Sequence, residues 1–157
     1  MQKEPITIDG HQRLLQEIKR LKSVERPAVV KSIEEARAHG DLKENAEYHA
    51  AKEKQGLLEA KIRDLEHLLA HAQILDPKSI KIDKVAFGAT VTLRNLDTDE
   101  EKKYQLVGKF ETDPKNGKIP ISAPIARALL GKKAGEEVSV HVPKGVQQFE
   151  ILEVDYI

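Results

Sequence analysis

The sequence predicts an α+β protein: an N-terminal antiparallel coiled-coil hairpin of two helices, then a small, mainly antiparallel α+β domain. Three observations predict it. From Leu14 to about residue 75 apolar residues recur at helical spacing, giving each helix one apolar face. The period then changes to two, with Ala89, Val91 and Leu93 alternating with polar residues, as do Val138, Val140 and Val142, the mark of half-buried strands. Charged residues make up 33% of the chain and aromatic residues 4%, which suits long solvated helices better than one large core. The 157 residues suffice for one ordinary domain or two small ones.

Residues 7 to about 75 read as the two helices. Thr7 suits an N-cap. Leu14, Ile18, Leu21, Val24, Ala28, Ile33 and Ala36 outline the apolar face of the first helix. Pro27 interrupts it and predicts a kink or short break, because proline has no N–H to give the helix. Gly40 is expected to end this helix at the C′ position, where a left-handed backbone is needed. The second helix is expected to start at once, with Leu42, Ala46, Ala50, Leu57, Ile62, Leu65, Leu69 and Ala72 as its seam. So short a break, around His39-Gly40-Asp41, implies an antiparallel hairpin. About 30 residues at roughly 1.5 Å each make an arm roughly 45 Å long.

Asp76-Pro77-Lys78-Ser79 is the natural linker. The expected division is a finger over 1–75, a linker over 76–84 and a second domain over 85–157. In that domain Phe149 and Ile151 continue the strand alternation, and Asp97-Thr98-Asp99-Glu100 and Asp113-Pro114-Lys115-Asn116-Gly117 are turn signals. One short helix is expected, with Pro124 near its start and Gly131 just past its end.

Charge and composition exclude several functions. The 26 basic and 26 acidic side chains cancel, and they cancel within each half separately. Tight unaided nucleic-acid binding is therefore not expected, since it depends on neutralising phosphates. If RNA is involved, a protein partner should bring it. There is no Cys, hence no disulfide, cysteine nucleophile or cysteine-based zinc finger. No signal peptide and no apolar run of about 20 residues is visible, so a soluble cytoplasmic protein without membrane contact is expected.

The hairpin tip holds the candidate chemistry. Asp41 and Glu44 stand three apart at an expected helix start, where their carboxylates can approach each other. Two exposed carboxylates could ligate Mg²⁺, which takes oxygen ligands and shares them with water and phosphate. The ordinary explanation is a capping box, Asp at the N-cap and Glu at N3, with both acids favoured by the helix dipole. The two explanations are compatible. Arg37, Lys43, Lys52 and Lys54 near the tip could touch phosphate, or simply belong to a solvated helix face. His67 and His71, four apart, lack a third ligand and read as a surface pair. Tyr48 reads as hairpin packing. No Gly-rich phosphate loop or serine triad is recognisable.

The run Glu35-Ala36-Arg37, then Gly40-Asp41-Leu42-Lys43-Glu44-Asn45-Ala46-Glu47-Tyr48-His49-Ala50-Ala51-Lys52, closely resembles the signature of the bacterial Gre family of transcript cleavage and elongation factors. So do Phe87-Gly88-Ala89-Thr90-Val91, Pro124-Ile125-Ala126-Arg127 followed by Leu130-Gly131, and Phe149-Glu150-Ile151. The resemblance spans the chain. It implies a coiled-coil finger and an FKBP-like C-terminal domain that docks on bacterial RNA polymerase through Ser122, Pro124 and Ile125. The finger would enter the secondary channel and reach the nascent RNA 3′ end. There Asp41 and Glu44 would help hold a second Mg²⁺ and its attacking water, while Arg37, Lys43 and Lys52 contact RNA or polymerase. That is two-metal hydrolysis with ligands from two proteins. The resemblance further implies a monomer with no nuclease activity alone and no tightly bound Mg²⁺.

One departure stands out: where relatives often carry Ser-Pro, this chain has Ala123-Pro124, with Ser122 shifted by one. The modest basic content near the tip resembles the less basic branch of the family, which implies short cleavage products. The chief alternative is a channel-binding regulator without cleavage stimulation; both tip acids being present argues against it. An FKBP-like fold alone would also suggest a prolyl isomerase, but fold does not imply function. A coiled-coil chaperone would give the acidic tip no purpose.

Overall fold

A computed structural model describes residues 3–40 and 45–157. The chain forms two compact units, one spanning His11–Ala72 and the other Lys3–Gly10 together with Gln73–Ile157.

The helical unit is built on α1 (Ile8–Arg20), a π-helical turn (Leu21–Glu25), α2 (Arg26–Arg37) and α3 (Ala46–His71). Pro27 does not break the first helix. The π turn precedes it, and Arg26 N–H donates to the Leu21 carbonyl five residues back. Widening the turn relieves the clash between a proline ring and the carbonyl four residues earlier. Glu25 and Arg26 keep helical dihedrals, so the backbone stays helical up to the proline.

The inserted residue also re-phases the apolar face. Leu14, Ile18, Leu21 and Ala36 are buried as expected, but between them the face runs through Val29. Val24 is 58% exposed and Ala28 is also exposed. On α3 the covered face is Tyr48, Ala51, Gln55, Leu58, Ile62, Leu65 and Leu69. These steps alternate three and four, the coiled-coil heptad. The expected seam is right from Ile62 to Leu69 and wrong nearer the tip. Leu57 is 68% exposed, and Ala46 and Ala50 face outward. Two consecutive leucines occupy 57 and 58, and only the heptad counted back from Ile62 selects Leu58.

Ion pairs fix which residues of the two helices face each other. Arg26 grips Glu59 at 2.8 Å and Lys22 reaches Glu66 at 3.2 Å. The Arg26 hydrogen bond holds the Glu59 carboxyl below the usual glutamate range, and Arg20 does the same for Glu17. A depressed folded-state pKa gives stability that is present above the unfolded value of about 4.3 and lost as pH falls below it. The hairpin's melting temperature should therefore drop on acidification from pH 6 to pH 3. Glu59→Gln should flatten part of that drop; an unchanged pH profile would show that the pair is energetically idle, as many exposed pairs are.

In the second unit β1 (Glu4–Thr7) and β2 (Ala72–Leu75) form a two-stranded sheet. A five-stranded sheet follows, in the order β5-β4-β3-β7-β6, from β3 (Thr90–Asn95), β4 (Glu101–Val107), β5 (Lys118–Pro120), β6 (Glu137–Val142) and β7 (Gly145–Asp155). Its pairs are antiparallel except β4 with β5. The α+β fold class thus holds. The helix α4 (Pro124–Leu129) contributes Ala126 and Leu129 to a core shared with Val91, Leu93, Leu106, Val138, Val140, Phe149 and Ile151. Its end is as expected, with Gly131 at φ +81°, a left-handed value that favours glycine.

Four strands are additions to the expected elements: β1, β2, β4 and β5. β1 lies just before the expected start of the first helix, while β2 occupies a segment expected to be helical, so α3 ends at His71 and Ala72 opens a strand. Thr7 still caps α1, its Oγ1 accepting from Gly10 N–H at 3.1 Å, but as the last residue of a strand. The same threonine meets Glu111, which is only 4% exposed. The Glu111 carboxylate accepts from Thr7 N–H at 3.2 Å, from Gly108 N–H at 3.3 Å and from the Thr7 hydroxyl. Gly10 lies so close that any Cβ there would run into this carboxylate.

Candidate functional site at the hairpin tip

The tip is approached from α2 and left along α3. α2 ends at Arg37 with Ala38 as C-cap, and the cap region folds back, His39 N–H donating to Ala36 O at 3.2 Å. Gly40 follows at φ +129°. The left-handed glycine is as expected, but it stands one position beyond C′. Asp41, Leu42, Lys43 and Glu44 lie outside the described residues, and with them the two candidate metal ligands and one candidate phosphate contact.

The start of α3 corrects an expectation. Its N-cap is Asn45, in extended conformation, with Oδ1 accepting from Tyr48 N–H at 3.0 Å. The capping work assigned to Asp41 at the head of this helix is done by Asn45. The same side chain reaches back, its Nδ2 donating to the Ala36 carbonyl of α2 at 2.5 Å. One amide thus adds a bond to a carbonyl at the end of one helix and satisfies a free N–H at the start of the next. Asn is among the best N-cap residues, so Asn45-x-x-Tyr48 was a readable signal; the acids four and one residues before it competed for the assignment.

The neighbouring candidates are placed as follows. Arg37 is exposed in the last turn of α2. Lys52 is exposed on α3, with Nζ 3.2 Å from Gln55 Oε1. Lys54 is also exposed. Tyr48 is half-buried and meets the His49 ring edge-on at 5.6 Å. Near the far end of α3 the His67 and His71 rings lie 4.2 Å apart, and His71 Nδ1 is 2.8 Å from the His67 carbonyl. Among the described residues no three His, Asp or Glu side chains gather as metal ligands.

In the second unit Ser122 and Pro124 are exposed, while Ile125 is half-buried against the core. Ala123 is the N-cap of α4 and gives no side-chain cap bond. A serine at that position would have supplied one, so the Ala123-Pro124 departure costs α4 its cap, and Ser122 does not replace it. No helix among the described residues is long and apolar enough to cross a membrane.

Comparison with known proteins agrees with this arrangement in both halves. The family model for the N-terminal part of GreA/GreB transcription elongation factors matches residues 4–74, and the C-terminal model matches residues 79–156. Transcription elongation factor GreA of Nitrosococcus oceani is 55% identical over 157 residues, 99% of each chain. The protein of that name from Caulobacter vibrioides is 52% identical over the full length of both chains. Among solved structures, GreA factor homolog 1 (Gfh1) of Thermus thermophilus is 27% identical, with 98% of this chain and 99% of that chain covered and a TM-score of 0.45. A long helical hairpin followed by a small, mostly antiparallel sheet domain, each matched by its own model, defines a two-part transcription elongation factor. The chain belongs to the GreA/GreB family.

Proposed function

We propose that this elongation factor stimulates the Mg²⁺-dependent cleavage of backtracked RNA by bacterial RNA polymerase. The second unit docks at the rim of the secondary channel through Ser122, Pro124 and Ile125. The finger reaches the active centre, where Asp41 and Glu44 supply carboxylate oxygens to a second Mg²⁺ and orient the attacking water. Arg37, Lys43 and Lys52 face RNA phosphates or polymerase. When bound, the metal pair polarises the phosphodiester and lowers the pKa of water; this chain contributes ligands and position. Alone it is no nuclease and holds Mg²⁺ weakly, because two carboxylates make a partial site for an ion that sheds water reluctantly. It works as a cytoplasmic monomer.

The observation that carries this reading is Asn45. With α3 capped by an amide, the two acids before it are not needed to start that helix. The even charge of the chain agrees with RNA being delivered by the polymerase rather than bound directly. The test is addition of the protein to a stalled, backtracked elongation complex carrying end-labelled RNA. Rapid release of short 3′ fragments supports the reading. Tight binding without faster cleavage would instead make the chain a channel-binding regulator.

A further inference from the structure

We propose that the free edge of β6 is a docking site for a basic, extended segment of a partner protein, which joins the five-stranded sheet as a further strand. β6 (Glu137–Val142) ends that sheet. Its whole length pairs with β7 in a register without a bulge. Among the described residues no other backbone group bonds to it. In an antiparallel pair only every second residue exchanges bonds with its neighbour. The remaining residues of β6 therefore turn their N–H and C=O groups away from β7, toward solvent.

The two edges of the sheet differ. At the other edge β5 is three residues long and ends in Pro120, which has no N–H to offer. Lys118 of β5 is already bridged to Asp113. Short strands and prolines close an edge to unwanted pairing. β6 reads Glu-Val-Ser-Val-His-Val, with no proline, lysine or bulge. An edge left regular is a template for strand addition, in which main-chain bonds supply affinity and alternate side chains supply specificity.

The side chains define the segment that fits. Val138 and Val140 point into the core, 6% and 3% exposed, and α4 packs against this strand. Glu137, Ser139 and His141 are exposed on the opposite face. An incoming strand must alternate in the same way, apolar on the core side and polar on the solvent side. Charge decides the polar residues. Glu137 stands directly opposite Glu150 of β7, and like charges so placed destabilise a sheet. Arg94 takes Glu150 at 2.7 Å, and Glu137 has no ion-pair partner among the described residues. A lysine or arginine across from Glu137 on the added strand supplies one. This surface is made of other residues than Ser122, Pro124 and Ile125, so it goes beyond the docking proposed above.

The probe is a short synthetic peptide alternating valine with lysine and threonine, added to the full chain and followed by amide hydrogen exchange and NMR. The expected result is saturable binding, with exchange slowed roughly tenfold or more at alternate residues of β6. The same peptide N-methylated on alternate amides keeps its side chains and loses its ladder donors, and should not bind. Glu137→Lys removes the like-charge pair, so its melting temperature should not fall, and it should weaken peptide binding roughly three- to tenfold. Absence of binding, equal binding by the N-methylated peptide, or protection confined to residues outside β6 would each overturn the proposal. An unchanged affinity in Glu137→Lys would overturn the basic character of the partner. Protection of β6 without peptide, in a sample that sediments as a concentration-dependent dimer, would give the edge to a second copy of this chain and overturn the partner assignment.

Discussion

The double variant Asp41→Asn/Glu44→Gln is expected to fold, to bind polymerase as the parent does, and to leave only the polymerase's intrinsic rate of RNA cleavage. Folding should survive because α3 takes its cap from Asn45, and the covered face that packs the hairpin begins at Tyr48. Removing two acids near a helix start gives up about 0.3–1 kcal/mol of dipole interaction per charge. The ligand effect is far larger. A neutral amide is a much poorer Mg²⁺ ligand than a carboxylate. Even outer-shell partners of metal ligands cost roughly 10- to 100-fold when removed, so each single substitution should lower stimulated cleavage by at least that much. Cleavage rate and melting temperature for both singles and the double decide the matter. Near-normal cleavage by the double would remove the metal role of these acids.

Glu111→Ala is expected to destabilise the second unit by about 3 kcal/mol. The carboxylate serves two backbone N–H groups and one hydroxyl in a buried setting. Each buried polar group left without a partner costs about 1–3 kcal/mol, and overlap within one cluster keeps the total below the sum. Glu111→Gln retains one acceptor oxygen and should recover part of the loss. Gly10→Ala attacks the same cluster from the other side, placing a methyl where the carboxylate sits. Urea unfolding followed by a probe in the C-terminal sheet measures all three. A Glu111→Ala midpoint equal to the parent's would show that the cluster does not hold β1 in place.

How much of this was legible in the sequence varied with the length of the pattern. The hairpin was readable because its periodicity runs for more than 50 residues, and the short helix because Pro124 and Gly131 bracket it. β4 was not, since only its last two residues are buried and the pattern shows no alternation. β5 is three residues long, too short for any period. β2 was absorbed into the neighbouring helix and β1 passed unnoticed, because four-residue strands beside strong helical patterns carry no separate signal. At the tip, the fragment Asp41-Leu42-Lys43-Glu44-Asn45 contains two capping solutions, and spacing does not rank them. Asn45 begins α3, accepting from Tyr48 N–H and donating across to Ala36 O of the opposite helix. Glu111 could not have been found by pattern at all, since its partner Thr7 sits 104 residues away.

The π turn at Leu21–Glu25 makes the finger's azimuth a matter of residue count. An α-helix advances about 100° per residue, so excising one residue there and restoring ordinary α geometry would turn everything beyond it by that angle. Val29 and Ala36 would swing off α3 and Val24-side residues would swing onto it. Pro27 guards against that relaxation, because a regular turn ahead of it would drive its ring into a carbonyl. The proline thus works as a ratchet pawl for the helix: it permits the wide turn and blocks the narrow one. Grafting this finger onto another protein, or shortening it, would have to keep Leu21 to Pro27 as one indivisible piece.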